Sequence, residues 1–324
     1  MAADLESVRD DDLSIVIQGP LFPGQVEGAE RCIESVLAVA PNAEIILSTW
    51  DTEDVRPFHG RVIVAQSPDP GAFATRGRPY NLNRLLRSTQ AGLDRASRPW
   101  CLKLRTDLAL IDRRFLRAAP ARLGGRFARP LAMTNIFVRD PEKFTLLFHF
   151  SDIAQFGLTS DMRALWDGPL FSAAEVLDLS GTHDVSWDGI LLFPEQALTL
   201  RWLRSQGLDI ALRHPAEVTR KSLSLWADVL AHDVRLVDWR ASGIRFPERF
   251  AGDPSVPNTL LSEEKATNIG SIGFRYSRAL GNSFLTRFLL SGRLAQSLAW
   301  MRTRFPLINR FLRWLWSSYH GMTR

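Results

Sequence analysis

The first hundred residues alternate short apolar runs with amphipathic stretches, and that alternation restricts the chain to few folds. Leu13 to Gln18 (LSIVIQ) reads as a strand that stops at Gly19-Pro20. Between Glu27 and Ala40 the apolar positions Ala29, Cys32, Ile33, Val36, Leu37 and Ala40 form a helical stripe, broken by Pro41-Asn42. Glu44 to Thr49 and Arg61 to Ala65 read as two more strands, the latter closing into Ser67-Pro68-Asp69-Pro70-Gly71. A helix is predicted from Pro79 to Asp94, with Leu82, Leu85, Leu86 and Leu93 inward, and Trp100 to Arg105 is the next strand. This β-α-β-β-α-β order predicts an α/β fold with a Rossmann-type, mostly parallel sheet flanked by helices. Ligands of such sheets gather outside the carboxyl ends of the strands. The segments falling there are Gln18-Gly19-Pro20, Ser48-Thr49-Trp50-Asp51, Asp69-Pro70-Gly71 and Arg105-Thr106-Asp107.

Several chemistries are excluded by what the chain lacks. It has no GxxxxGK[ST] loop, no GxGxxG after the first strand, no GxSxG elbow, and neither CxxC nor HExxH. Its six histidines are scattered, and His149 with Asp152 is the one close ligand-like pair. Cys32 and Cys101 lie inside apolar patterns and read as buried, reduced thiols. Met1 to Asp12 carries five acidic residues, which suits neither a signal peptide nor an anchor. No apolar run reaches the ~18 residues of a spanning helix. Asp107, at a strand's carboxyl end, could hold a hard divalent cation that bridges two phosphates, or could simply cap the following turn.

The segments SIVIQGP (Ser14–Pro20), AEIILSTW (Ala43–Trp50), DPG (Asp69–Gly71), NLNR (Asn81–Arg84) and KLRTD (Lys103–Asp107) occur in one order, followed by FHFSDIAQFGL (Phe148–Leu158) and PEQ (Pro194–Gln196). In that order and spacing the chain resembles the WavE family of bacterial lipopolysaccharide and capsule biosynthesis proteins, whose members look like GT-A glycosyltransferases. The resemblance implies a GT-A-like sheet and a nucleotide-diphosphate sugar as donor. It implies that Gln18, Gly19, Thr49, Trp50 and Asp51 lie near the base and ribose. Asn81, Arg84 and Arg105 would lie near the phosphates or sugar, and Asp107 at a Mn²⁺ or Mg²⁺ site. Arg105 departs from the family's usual DXD pattern, which puts metal dependence in question. The base that takes the acceptor's proton is expected among Asp152, Glu195 and Asp161, with Asp184 and Asp188 as further carboxylates.

The uneven distribution of charge suggests a division. Residues 1–264 would be the catalytic domain, with 13–110 as its nucleotide-binding half and 131–264 as its acceptor half. Residues 265–324 would be a basic helical tail, because no acidic residue follows Glu264 while ten Lys and Arg do. Aromatic and aliphatic residues recur at helical spacing on either side of Pro306, so 281–324 is expected to touch an anionic membrane. The expected partners are the sugar donor and a glycan or lipid-linked glycan acceptor, at the inner face of the plasma membrane. A sugar-phosphate transferase is the nearest alternative. Nucleic-acid binding is disfavoured, since the basic residues lie outside the α/β body and no motif for it occurs.

Overall fold

A computed structural model describes residues 8–74, 79–118, 125–179, 192–251 and 258–290. In chain order the strands are β1 (Leu13–Gln18), β2 (Glu44–Trp50), β3 (Ile63–Ser67), β4 (Phe73–Ala74), β5 (Pro79–Tyr80), β6 (Trp100–Arg105), β7 (Ala109–Leu110), β8 (Leu131–Thr134), β9 (Ala154–Leu158), β10 (Val234–Val237) and β11 (Ile244–Arg245). The main helices are α1 (Ala29–Val39), α2 (Leu82–Arg95), α3 (Thr159–Leu165), α4 (Ala173–Leu179), α5 (Pro194–Ser205), α6 (Arg220–His232) and the short α7 (Glu248–Ala251).

Seven strands form one sheet in the order β10-β8-β9-β6-β1-β2-β3. All neighbours are parallel except at β9, which runs antiparallel to both β6 and β8. The mixed, mostly parallel sheet expected from the sequence is therefore present. Every residue of β1 is buried, as a central parallel strand covered on both faces requires. Alternation then splits the core. Val16, Ile46 and Cys101 join α2, α3, α5 and α6 on one face. Ile15, Ile17, Leu47, Leu102 and Leu104 join α1 on the other. Helix α2 crosses the sheet closely at Gly92, where a Cβ would fall 2.3 Å from Val16 Cγ1.

The structure departs from the expected boundaries in instructive places. The second helix begins at Leu82 rather than Pro79, because Pro79–Tyr80 pairs with Phe73–Ala74 and the Tyr80 hydroxyl donates to Leu192 O at 2.6 Å. The third strand runs to Ser67, held by pairing with Trp50 and by Gln66 Nε2 donating to Trp50 O. Cys32 and Cys101 are buried and free, and burial pushes the Cys101 thiol up to about 12.

The chain does not loosen at residue 265. Lys265 Nζ bonds both carboxylate oxygens of Asp140 at 3.0 Å, and Arg275 Nε donates to Glu142 at 2.8 Å. In the helix Tyr276–Leu290, Ala279, Ser283 and Thr286 are buried, and Thr145 bonds to both Ala279 O and Thr286 Oγ1. The large apolar residues Phe284 and Leu285 face outward instead. Thus 265–290 is fastened to the body by these polar contacts and by Ala266, Ile269 and Ala279 in the core, with Phe274, Tyr276 and Leu280 packed against it, while Phe284 and Leu285 are left outside. The expected helices beyond 290, and most of the expected membrane segment, lie outside the described residues. No described helix is long and apolar enough to cross a membrane.

Candidate functional site

The carboxyl edge of the parallel strands collects most of the residues singled out in the sequence. Gln18 is buried, and its Oε1 accepts from Ser88 Oγ at 2.6 Å, which ties β1 to α2. Gly19 has φ +126°, a conformation side-chain-bearing residues rarely adopt, and a Cβ there would lie 3.1 Å from Thr106 Oγ1. Glycine therefore lets the first loop lie against the Thr106-Asp107 turn, where Thr106 Oγ1 donates to Pro20 O at 2.7 Å. At the end of β2, Thr49 and Trp50 are buried and Asp51 is exposed. The Thr49 hydroxyl is enclosed without a hydrogen-bond partner among the described residues. Arg84 grips Asp69 through Nε and Nη2, at 2.8 and 2.6 Å, and its Nη1 donates to Asn81 Oδ1 at 3.2 Å. The bonds from Arg84 hold the Asp69 carboxyl below its ordinary range. Arg84, Asn81 and Asp69 therefore form one bonded group.

Asp107 is at the centre of a denser arrangement. Its side chain is 1% exposed. Arg105 forks onto it, with Nε to Oδ1 at 3.1 Å and Nη2 to Oδ2 at 2.9 Å. Arg249, on α7, donates to the same Oδ2. Both guanidinium groups lie over the Phe250 ring, at 5.6 and 5.0 Å from its centroid. Asp107 also borders a cavity of about 140 Å³ together with Glu27, Arg31 and Arg245. No cluster of three or more His, Cys, Asp or Glu capable of holding a metal occurs among the described residues. A divalent ion at Asp107 would take its remaining ligands from phosphate and water, an acceptable set for Mg²⁺ or Mn²⁺.

The second centre lies beside the first, where β9 begins. Lys103 is fully buried on β6; its Nζ donates to the Asp152 carbonyl and sits 5.0 Å from the centroid of the Trp166 ring. Burial pulls the Lys103 ammonium down to about 8, although Asp152 partly opposes this. The Asp152 carboxyl is raised, first by burial and then by the charge of Glu195. Burial acts on Glu195 too, but His149 and Arg105 more than offset it, so that carboxyl is lowered. His149 Nε2 lies 3.3 Å from Glu195 Oε2. The sequence singled out His149 with Asp152; in the fold the bonded partner is Glu195.

Asp161 is elsewhere, which corrects its expected place among the catalytic carboxylates. Because β9 is reversed, Leu158 pairs with Trp100 at the start of β6, and Asp161 follows at the opposite edge of the sheet. There its carboxylate accepts the backbone N–H groups of Ala128 and Arg129, each at 3.0 Å. Asp184 and Asp188 lie outside the described residues. Arg31, Arg245 and Arg249 were not legible as site residues, since Arg249 is 142 positions from Asp107 and only the tertiary fold unites them.

A mostly parallel α/β sheet thus carries an arginine-bound aspartate, the buried Asp152 and the half-buried Glu195 toward its carboxyl edge. The family profile for WavE lipopolysaccharide synthesis matches residues 13–272, and the chain belongs to that family. No curated protein matches the chain. Among solved structures it is similar to a mannosyltransferase from Pyrobaculum calidifontis in complex with GDP-Man and Mn²⁺, at 10% identity and a TM-score of 0.32, covering 93% of this chain and 84% of that one. It is also similar to a mutant Drosophila beta-1,4-galactosyltransferase 7 in complex with manganese, UDP-Gal and xylobiose, at 10% identity and a TM-score of 0.27. That match covers 64% of this chain and 66% of the galactosyltransferase, just under two thirds of its length.

Proposed function

We propose that this protein transfers a sugar from a nucleotide-diphosphate donor to a surface-polysaccharide or lipopolysaccharide acceptor. The observation that carries the reading is the position of Arg105. It ion-pairs with Asp107, while its charge also lowers the proton affinity of both Asp152 and Glu195, so one guanidinium couples the two centres.

Donor and acceptor divide the cleft between them. The base and ribose lie along Gln18–Gly19 and Thr49–Asp51, at the ends of β1 and β2. The diphosphate lies against Arg105 and Asp107. Asp107 is the carboxylate that would hold Mn²⁺ or Mg²⁺, and a bound divalent ion would neutralise charge on the departing diphosphate. In an inverting displacement the acceptor hydroxyl oxygen bonds to the anomeric carbon as the bond from that carbon to the phosphate oxygen breaks. The bonding pair leaves with the diphosphate, and the hydroxyl proton passes to Asp152. A raised carboxyl suits that task, because general bases work best with pKa values near the operating pH. Glu195, held ionised by His149, keeps the Asp152 proton affinity high. An acceptor carried on lipid would place the reaction at the inner membrane face, a setting that the basic stretch 291–324 supports through its six arginines.

The test is to incubate the purified chain with a panel of nucleotide sugars, with and without Mn²⁺, and to detect released nucleoside diphosphate and glycan product by mass spectrometry. Release from at least one donor is expected. Failure of every donor to bind or react would overturn the reading, and a product heavier by one phosphate would replace it with sugar-phosphate transfer.

A further inference from the structure

The cavity beside Asp107 has more positive charge than its visible contacts use. Three separate stretches build it. The turn after β6 supplies Asp107, α1 supplies Arg31 from its first turn, and β11 supplies Arg245 through its antiparallel pairing with Ala109 on β7. Helix α7 follows β11 directly and brings in Arg249. Arg31 and Arg245 line the cavity with Glu27 and Asp107, and Arg105 and Arg249 pair with Asp107 beside it, so four guanidinium groups against two carboxylates leave a surplus of two positive charges. Among the described residues neither Arg31 nor Arg245 forms an ion pair or side-chain hydrogen bond, and both are exposed.

We propose that Arg31, Arg245 and Arg249 form with Arg105 a cradle for a diphosphate group, and that Arg249 moves from Asp107 to phosphate when the cradle fills. This rests on the donor reading above and identifies residues which that reading did not use. The surplus of two charges matches the roughly two negative charges of the diphosphate in a nucleotide sugar. Arginine suits phosphate because its planar fork donates two parallel hydrogen bonds. Arg249 is free to exchange: its side chain is 53% exposed, and among the described residues its one hydrogen bond is to Asp107. Its departure does not strand Asp107, because Arg105 holds both carboxylate oxygens. Both guanidinium groups also lie over the Phe250 ring, which keeps them near one another.

The experiment uses the full chain and two probes, inorganic pyrophosphate in EDTA and Mn²⁺ alone, both followed by titration calorimetry. Arg249→Gln and Arg245→Gln should each weaken pyrophosphate binding about tenfold or more, the effect of losing a hydrogen bond to a charged group. Arg249→Gln should also tighten Mn²⁺ binding several-fold, because a cation competing for Asp107 has gone. Arg249→Lys guards against a folding artefact: it keeps the charge, so Mn²⁺ affinity should stay near wild type while pyrophosphate binding weakens. Equal pyrophosphate affinity in wild type and both glutamine variants, at unchanged thermal stability, would overturn the cradle. So would a wild-type protein that does not bind pyrophosphate. Arginine-dependent pyrophosphate binding in a protein that takes no nucleotide sugar would uphold the cradle and refute only the donor reading.

Discussion

Asp107 and Asp152 stand at the same edge of one sheet, yet the fold treats them in opposite ways. Asp107 is gripped by two arginines that lie over one aromatic ring. Asp152 is buried beside another carboxylate, and the nearby lysine donates to its backbone carbonyl. The first environment fixes a negative charge within a positive surround, as a departing diphosphate requires. The second makes ionisation costly, as a proton acceptor requires. One residue type thus meets two environments, and under the proposed function its neighbours decide which role each carboxylate takes.

The comparison breaks first at Asp152. Asp152→Asn should lower turnover by roughly 10²–10⁴-fold, the usual contribution of a general base, with donor affinity unchanged. Wild-type rate should rise with pH along a limb lying above the ordinary Asp value of about 3.9, since the base acts when deprotonated. The sign for stability is the reverse. A carboxyl raised in the folded state stabilises the fold below its unfolded pKa, and that contribution is lost as pH rises through the folded value. Asp152→Asn should therefore melt no lower than wild type at neutral pH. A variant of near-normal turnover, or one whose acid limb persists, would remove Asp152 from the chemistry.

Asp107→Asn tests the other half. It leaves Arg105 and Arg249 facing a neutral amide, and should weaken Mn²⁺-supported donor binding by about 1.5–3 kcal/mol while leaving the acid limb of the rate profile in place. Unchanged donor affinity at every Mn²⁺ concentration would count against a diphosphate at this carboxylate.

Asp161 provides the contrast across the sheet. Asp161→Ala removes the acceptor for two backbone N–H groups and should cost about 1–3 kcal/mol of stability in denaturant titrations. Turnover per folded molecule should not change. A catalytic defect in fully folded protein would contradict its placement at the amino edge.

The smallest effect is expected at Arg84. Its pair with Asp69 is partly exposed, and such pairs contribute up to about 1 kcal/mol. A double-mutant cycle of Arg84→Ala with Asp69→Asn should return a coupling of that size in stability and little change in donor affinity. A large loss of donor binding in Arg84→Ala alone would place Arg84 at the phosphates.

Much of this contrast was half visible in the chain. KLRTD placed Asp107 at a strand end, and FHFSDIAQFGL with PEQ picked out Asp152 and Glu195. Their environments were not visible. Lys103 stands in an alternating strand, so its side is given by period two; that this side is fully buried under Trp166 depends on α3. The start of the tail was legible only in part. The aromatic stripe suggested a membrane-touching face, and within the helix Tyr276–Leu290 it is Ala279, Ser283 and Thr286 that are buried while Phe284 and Leu285 face outward.

The sequence by itself determined the alternation of strands and helices, the identity of the loops at the carboxyl edge, and the family. Those follow from local periodicity and from motifs a few residues long, which need no knowledge of the rest of the chain. Only the tertiary structure decided the direction of β9, which sends Asp161 to one edge and Asp152 to the other. It alone decided that Asp107 meets Arg249 and that Glu195 meets His149. Strand direction and ion pairing depend on contacts between distant segments, and each carboxylate's proton affinity depends on the burial and charge those contacts create.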